Sequence, residues 1–248
     1  MNYKLTIGWL YPELMSTYGD RGNIISLAKR CEWRNIEAEV RRLELGFKIE
    51  DLKKCDILFM GGAQDKQQSI VSHDFSTQKI KTLKRMIEDG IPGLYICGAY
   101  QFLGKYYKEA DGTIIKGLGI LDLYTESRGK NFKRLIGNII IETRIKKLVG
   151  FENHGGRTYL GKNIKPLGTI VKGFGNNGDD KTEGAMYKNS FGSYLHGPIL
   201  PKNPHFADLL IQLSLKKKYK QPFSLAKLED TLEWKAHEAI ANRLGIGL

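Results

Sequence analysis

The first hundred residues alternate short apolar runs with amphipathic segments. Residues 5–10 and 36–43 are runs typical of strands, and residues 22–34 between them have the apolar spacing of an amphipathic helix. Two further apolar runs, at residues 56–60 and 93–97, enclose a helical pattern at residues 78–89. Strands that alternate with helices in this way predict an α/β fold with a doubly wound, mostly parallel sheet flanked by helices.

The pattern changes in the second half of the chain. Shorter extended segments follow at residues 135–143, 147–151 and 168–174, and Gly-rich and Asn-rich turns separate them. These segments predict antiparallel strands in addition to the parallel sheet. Residues 203–218 then predict a packing helix, and residues 229–244 a polar amphipathic helix at the C-terminus.

The composition fits a globular protein of enzyme size. The chain has 248 residues, of which 41% are hydrophobic, so we expect one large domain over residues 1–218 and a helical tail, residues 219–248, that packs on it or extends it. No apolar stretch approaches the ~20 residues of a transmembrane helix, and residues 1–7 lack the features of a signal peptide. We therefore expect a cytoplasmic protein without a transmembrane segment.

The charge does not indicate a nucleic-acid partner. The formal net charge is +12, but Lys and Arg are spread along the chain instead of forming one basic stripe. The only dense run, residues 216–218, suits the C-terminal end of a helix, where cations complement the helix dipole. We expect a solvated basic surface and no nucleic-acid binding.

Three cysteines are present, at positions 31, 55 and 97. Their spacing contains no C-x-x-C pair, so the sequence predicts neither a disulfide framework nor a zinc site, and no metal ligands are assigned. Cys31 lies in a predicted helix and Cys55 just before a predicted strand, where packing roles are expected.

Cys97 carries the clearest chemical signal, because it ends an apolar strand and a helical pattern follows it directly. A cysteine at a sharp strand-to-helix turn projects its sulfur away from the sheet, and the start of the helix favours the thiolate. That arrangement serves acyl transfer. The alternative is a small buried residue that ends a core strand.

A cysteine nucleophile needs a base, and the chain has five histidines. His196 ends a predicted short strand and precedes a Gly-Pro turn, which places its ring at an edge of the fold. His154, in a loop, is the rival base. His73 and His205 are interpreted as surface or cap residues, and His237 as a solvated residue of the C-terminal helix.

Gly61 and Gly62 follow one apolar strand as Cys97 follows another. Because parallel strands end at the same edge of a sheet, we expect these two loops to meet over one crevice. Glycine allows the close approach of backbone N–H groups that an oxyanion hole requires. A tight loop without a catalytic role is the alternative.

Three motifs in this order, at residues 61–65, 95–104 and 194–198, resemble class I glutamine amidotransferases of the cobyric acid synthase type. Further matches at residues 117–122, 150–157 and 195–204 are similar to the branch of the family that supplies ammonia for amidation of lipid II, a peptidoglycan precursor. The resemblance runs from about residue 4 to residue 215, and the C-terminal tail carries no match.

The resemblance implies a glutamine-hydrolysing mechanism. Cys97 would attack the side-chain amide carbon of glutamine, and His196 would take the thiol proton and return it to the leaving ammonia. His196 would then activate the water that hydrolyses the thioester, while N–H groups of Gly62 and Gly98 stabilise the oxyanion.

The resemblance also implies the substrate-binding residues, Arg134 and Gln101. Arg134 aligns with the glutamine-binding arginine of the family and would hold the α-carboxylate with a bidentate clamp. Arg128 is close in sequence and is the alternative cation.

The sequence departs from the wider superfamily at two positions. Many class I enzymes have a glutamate two residues after the histidine, whereas this chain has Pro198 there. The resemblance therefore implies a dyad of Cys97 and His196 in place of a triad. Ala99 replaces the glycine more common after Cys-Gly.

The resemblance implies a heterodimeric enzyme of peptidoglycan synthesis. Ammonia would pass to a MurT-like Mur ligase that activates the D-glutamate α-carboxylate of lipid II, reached through that partner at the inner membrane surface. This sequence has no Walker A loop, so we expect no cofactor in this chain and ATP with Mg on the partner. Alternatives are a glutaminase serving another carboxylate, such as a corrinoid, or a non-catalytic scaffold of the same fold.

Overall fold

Strands and helices alternate along the residues that this computed structural model describes, 3–17, 19–63, 65–129 and 131–247. The strands are β1 (Lys4–Leu10), β2 (Glu37–Leu43), β3 (Ile57–Met60), β4 (Gly93–Ile96), β5 (Tyr106–Lys108), β6 (Ile114–Lys116), β7 (Leu123–Ser127), β8 (Leu135–Thr143), β9 (Leu148–His154), β10 (Gly156–Leu160), β11 (Gly168–Lys172), β12 (Thr182–Glu183), β13 (Ala185–Tyr187) and β14 (Ser190–Ser193). The helices are α1 (Arg21–Glu32), α2 (Ile49–Lys53), α3 (Asp65–Asp74), α4 (Thr77–Glu88), α5 (Gly98–Phe102), α6 (Pro204–Tyr219) and α7 (Thr231–Arg243), with a 3-10 turn at Leu200–Lys202. None of the described helices is long and apolar enough to span a membrane.

A six-stranded sheet forms the centre of the fold, in the spatial order β13, β14, β4, β3, β1, β2. The last five strands of this order run parallel, and only β13 is antiparallel to its neighbour. The predicted doubly wound, mostly parallel sheet is therefore confirmed.

The side chains of the central strands alternate between two hydrophobic cores. In β3, Leu58 and Met60 belong to one cluster, which also holds Leu83 of α4. Ile57 and Phe59 point to the other cluster, with residues of α1 and α6. Helices cover both faces of the sheet, which explains why these strands are continuous apolar runs.

The strand order fixes where the functional loops lie. β3 pairs with β4, β14 flanks β4, and β1 flanks β3. These four strands are parallel, so the loops that follow them emerge at the same edge. Cys97, the glycine pair, His196 and the loop after β1 are thereby gathered in one region.

Two four-stranded sheets complete the fold, in the orders β10, β7, β5, β6 and β12, β11, β8, β9. Their pairs are antiparallel except β5 with β7, which confirms the predicted antiparallel additions. The end of β9 and the start of β10 form one wall of the cavity described below.

Two helices were not predicted from the sequence, α2 and α3. Helix α3 is polar along most of its length. Among its described side chains, Val71 is the apolar one that is fully buried. Without an apolar stripe, the pattern in that segment gives no helical signal.

Helix α7 packs on the outer face of β8 and β9, where Ala241 contacts the cluster of Ile140 and Val149. The expectation that His237 is solvated is wrong: the residue is 2% exposed, and its Nδ1 lies 2.8 Å from the carbonyl oxygen of Lys202. Packing of α7 against the 3-10 turn buries this ring. The division into a domain and a separate tail stays a prediction.

Arg30 ties the segment before α7 to the domain. Its guanidinium donates to both carboxylate oxygens of Asp208 in α6 and to both of Asp230.

The last turn of α6 carries the Lys216–Lys218 run, so the predicted placement of this basic run at a helix C-terminus is confirmed.

Candidate active site

Cys97 lies at the turn between β4 and α5 and has a strained backbone, with φ 50° and ψ −105°. A positive φ is uncommon outside glycine and is maintained only where the surrounding structure enforces it. Here the N–H of Cys97 donates to Ser193 at 2.8 Å, and its carbonyl accepts from the N–H of Gln101 at 3.0 Å. The turn has the form of a nucleophile elbow.

The loop after β3 approaches this elbow closely. A Cβ atom on Gly98 would lie 2.8 Å from both the backbone N and the O of Ala63, a distance that real Cβ atoms do not reach. Glycine after the nucleophile therefore lets the two loops meet. The predicted convergence over one crevice is confirmed, although Gln64 of the glycine-pair motif lies outside the described residues.

His196 lies next to Cys97 and is buried, with 1% of its surface exposed. Its Cε1 is 3.1 Å from the position that a Cβ on Gly62 would take, and the Cβ of Cys97 is 3.4 Å from the same position. The ring lies beside the Cys97 thiol and the Asp20 carboxylate, both of which act on its charge, and its Nδ1 is 3.6 Å from Oδ1 of Asp20.

The electrostatics at His196 favour the charged form of its ring. Burial opposes the charged imidazolium, but the negative charge of the Cys97 thiolate and the contacts with Cys97 and Asp20 outweigh it. Together they raise the pKa of His196 to about 10. At neutral pH the ring is therefore charged, and an imidazolium next to a cysteine stabilises the thiolate form that acts as a nucleophile.

Asp20 is the site residue that the sequence analysis missed. It is fully buried, its Oδ1 lies 3.6 Å from Nδ1 of His196, and its Oδ2 accepts the N–H of Gly62 at 2.6 Å. The residue belongs to the loop after β1, which the strand order brings to the same edge. Pro198 does not supply the acidic group, but a carboxylate from far away in sequence does contact the histidine.

This contact bears on the predicted oxyanion donors, Gly62 and Gly98. The N–H of Gly62 donates to the Asp20 carboxylate at 2.6 Å, and its role as an oxyanion donor stays a prediction. Gly98 stands directly after Cys97, and Ala63, the next residue after Gly62, lines the cavity in front of the thiol.

A cavity of about 360 Å³ opens in front of Cys97. Its size suits a ligand as small as an amino acid. The cavity is lined by Thr17, Ala63, Gln68, Cys97, Gln101, Tyr107, Arg134, Asn153, His154, Gly155 and Gly156.

Both predicted substrate-binding side chains line this cavity. Arg134 is exposed, and Asn153 holds its guanidinium by accepting from Nε at 3.0 Å and, through the main-chain oxygen, from a terminal nitrogen at 3.1 Å. Gln101 is 7% exposed, and its amide donates to the Tyr194 hydroxyl at 3.0 Å. Arg128, the alternative cation, is ion-paired with Asp179 and does not line the cavity.

His154, the rival base, also lines the cavity but has other partners. Its Nδ1 lies 2.8 Å from the carbonyl oxygen of Gly156, and its Nε2 lies 3.5 Å from the buried Glu152 carboxylate. Its ring stacks on Tyr194 with 3.6 Å between centroids. Burial lowers its pKa, so the ring is neutral, and these contacts hold it in the cavity wall.

The remaining histidines and cysteines lie outside the cavity lining. His73 is exposed on α3, and His205 stacks on Trp234 of α7. Cys31 and Cys55 are buried, and burial raises the pKa of each thiol to about 12. These two thiols stay protonated at neutral pH, which fits their expected packing roles.

Comparisons with known proteins identify the family of this chain. The family model of the CobB/CobQ-like glutamine amidotransferase domain matches residues 6–204. The chain is 45% identical to the lipid II isoglutaminyl synthase (glutamine-hydrolyzing) subunit GatD of Staphylococcus aureus, over 97% of this chain and 96% of that protein. It is 44% identical to the subunit GatD of Streptococcus pneumoniae, over 93% and 88% of the two chains.

The fold is also similar to that of a solved glutamine amidotransferase. That structure has a TM-score of 0.58 and 15% identity, and the match covers 84% of this chain and 98% of that chain. The chain therefore belongs to the CobB/CobQ-like glutamine amidotransferase family, and it is a glutamine amidotransferase related to the glutamine-hydrolysing subunits of lipid II isoglutaminyl synthase.

Proposed function

We propose that this chain hydrolyses glutamine at Cys97 and supplies the ammonia to an ATP-dependent ligase that amidates the D-glutamate α-carboxylate of lipid II. The observation that carries the proposal is the place of Cys97: it lines the same cavity as Arg134 and lies next to the buried His196. The acceptor is supported by the identity to two subunits that carry the name lipid II isoglutaminyl synthase.

Glutamine binds with its α-carboxylate on the Arg134 guanidinium, which Asn153 holds in place. A carboxylate accepts two parallel hydrogen bonds from a guanidinium, so this contact fixes both position and orientation. The side-chain amide then extends toward Cys97, on another part of the cavity lining.

The Cys97 thiolate attacks the amide carbon, and a bond forms between sulfur and carbon. Backbone N–H groups of Gly98 and of the loop after β3 stabilise the oxyanion. The imidazolium of His196 gives its proton to the amide nitrogen, the carbon–nitrogen bond breaks, and ammonia leaves.

Hydrolysis of the thioester regenerates the site. Neutral His196 takes a proton from water, and the resulting hydroxide attacks the thioester carbon. The carbon–sulfur bond breaks, which releases glutamate and returns the thiolate beside the imidazolium.

The acceptor reaction takes place on a second subunit, a MurT-like Mur ligase. That subunit binds ATP, Mg and lipid II and activates the carboxylate that ammonia attacks. The two chains form a heterodimer, and ammonia passes between them without release to solvent.

A glutaminase assay tests the chemistry. Wild type and Cys97→Ala are each measured for ammonia release, alone and with the ligase subunit, and Cys31→Ala is the matched control at a buried thiol outside the cavity. We expect wild type and Cys31→Ala to release ammonia and Cys97→Ala to release none. Ammonia release by Cys97→Ala at the wild-type rate, or none by wild type with its partner, would contradict the mechanism.

A second assay tests the acceptor. The complex is given glutamine, ATP and either lipid II or a corrinoid carboxylate, and the amidated product is identified by mass spectrometry. We expect amidated lipid II. Amidation of the corrinoid alone would support the alternative acceptor.

A further inference from the structure

We infer that Asp20 is a positioning residue. It orients both His196 and the glycine loop, which is the loop after β3 that contains Gly61 and Gly62. The inference rests on the proposed role of His196 as the proton carrier of glutamine hydrolysis. It adds a third group to the pair of Cys97 and His196, contributed by the loop after β1.

The carboxylate of Asp20 makes two contacts that serve the site. Oδ2 accepts the N–H of Gly62 at 2.6 Å, and Oδ1 lies 3.6 Å from Nδ1 of His196. Both Asp20 and His196 are at most 1% exposed, so water does not screen this pair. One side chain thereby fixes a ring and a backbone segment that flank the same thiol.

The side chain of Asp20 does not cap the helix that it precedes. It occupies the N-cap position of α1, where an aspartate usually accepts an N–H of the first helical turn, but its side chain makes no capping hydrogen bond. A residue that breaks a local preference while remaining fully buried indicates a functional constraint.

The position of Asp20 is fixed from two sides. Toward β3, the N–H of Thr17 donates to the carbonyl of Gly62 at 3.0 Å, which pairs the loop after β1 with the glycine loop. Toward the histidine, a Cβ on Gly22 would lie 2.3 Å from Pro198, two residues after His196. The carboxylate is therefore held between the two segments that it contacts.

The chemical consequence follows from which nitrogen the carboxylate faces. A carboxylate beside Nδ1 favours a proton on Nδ1 and leaves Nε2 to exchange a proton with the sulfur. Cys97 and Asp20 both act on His196 and raise its pKa against the effect of burial. Without the charge of Asp20, the imidazolium loses one of the groups that stabilise it.

The substitution Asp20→Asn tests this role, because it keeps the shape and removes the charge. The first measurement is the rate at which iodoacetamide alkylates Cys97 at pH 7, which reports the thiolate without needing glutamine or a partner. We expect this rate to fall about tenfold, since the thiolate depends on the imidazolium that Asp20 stabilises.

The second measurement is the pH dependence of kcat/KM for glutaminase activity with the ligase subunit. We expect the basic limb to move to lower pH by about one unit and kcat to fall about 10- to 100-fold, with little change in KM. If Asp20 contributed only to stability, the substitution would reduce the fraction of active protein without moving the basic limb of the pH profile. Asp74→Asn is the control, since this carboxylate bonds Tyr11 and Lys79 away from the cavity lining.

The outcomes separate the inference from the proposed function. If wild type hydrolyses glutamine and Asp20→Asn keeps the wild-type alkylation rate and pH profile, the positioning role is wrong. If Asp20→Asn slows alkylation but wild type releases no ammonia with its partner, the positioning role stands and glutamine hydrolysis is wrong. A thermal unfolding scan of each variant verifies that folded protein is compared.

Discussion

Phe151 and His196 are joined by backbone hydrogen bonds in both directions. The N–H of Phe151 donates to the carbonyl of His196 at 3.2 Å, and the N–H of His196 donates to the carbonyl of Phe151 at 2.7 Å. Their side chains have opposite environments, since Phe151 is 37% exposed and His196 is 1% exposed. Strand β9 therefore connects an exposed aromatic surface directly to the buried histidine.

This relationship predicts the face that the ligase subunit covers. In the β8–β9 register Ile136 pairs with Asn153 and Asn138 with Phe151, so Ile136 and Phe151 share a face with Asn153, a residue of the cavity wall. Ammonia must reach the partner without loss to solvent, and exposed apolar side chains beside a cavity mark interaction surfaces. We expect Phe151→Asp to raise the Kd for the ligase subunit at least about tenfold.

The control for this prediction is Ile114→Asp, on the edge strand of another sheet, where Ile114 is 63% exposed. Affinity is measured by titration of purified subunits, and Cys97 alkylation verifies that the elbow is intact. Equal affinities of wild type and Phe151→Asp would exclude this face as the interface.

Cys97 and the glycine pair could be predicted because each follows directly on a buried apolar run. Local pattern identifies such strands, and the rule that parallel strands end at one edge then brings their loops together. His196 could be predicted for a similar reason, since it follows β14 of the same sheet.

Asp20 could not be predicted in the same way. Its place beside His196 depends on β1 lying next to β3, and strand order is a property of the whole sheet rather than of the residues around position 20. The burial of His237 likewise depends on how α7 packs, which the polar pattern of that helix does not indicate. Both residues have environments set by tertiary contacts alone.

Gly98→Ala is expected to destabilise the protein and to impair catalysis. Its new Cβ would lie 2.8 Å from the backbone of Ala63, so the loop after β3 must move away from the elbow. Overpacking of this kind costs about 1–3 kcal/mol of unfolding free energy, and displaced oxyanion donors reduce kcat at least about tenfold.

Gly137→Ala is the matched control, because a Cβ there has no heavy atom within 4 Å. Urea unfolding gives the change in stability, and ammonia release gives kcat. The close approach of the two loops would be in doubt if both variants had the stability and kcat of wild type.

The titration of Glu183 is expected to lower the free energy of unfolding as pH rises from about 4.5 to 7. Burial raises the pKa of this carboxyl to about 7, despite hydrogen bonds from Ser193 and the N–H of Tyr194. A carboxyl whose pKa is higher in the folded state contributes stability below its unfolded pKa and loses it as pH passes through the folded value. The loss is at most about 3 kcal/mol.

Glu183→Gln removes this titration and keeps an oxygen for both donors. Urea unfolding at pH 5 and pH 8 measures the effect as the difference between wild type and the variant. We expect the free energy of unfolding of wild type to fall more than that of Glu183→Gln over this interval. A parallel fall in both proteins would mean that Glu183 does not titrate there.

Arg134→Lys is expected to weaken glutamine binding while leaving the chemical step largely intact. Asn153 accepts from two nitrogens of the guanidinium and so orients the group, and a lysine ammonium offers neither this anchoring nor a bidentate contact with the α-carboxylate. A hydrogen bond to a charged group contributes about 1.5–3 kcal/mol, so KM is expected to rise about 10- to 100-fold. Arg128→Lys is the control, because Arg128 is paired with Asp179 outside the cavity lining. Steady-state kinetics of ammonia release gives KM and kcat separately. A rise in KM for Arg128→Lys but not for Arg134→Lys would assign the carboxylate clamp to Arg128. A loss of kcat alone in Arg134→Lys would place Arg134 in the chemical step.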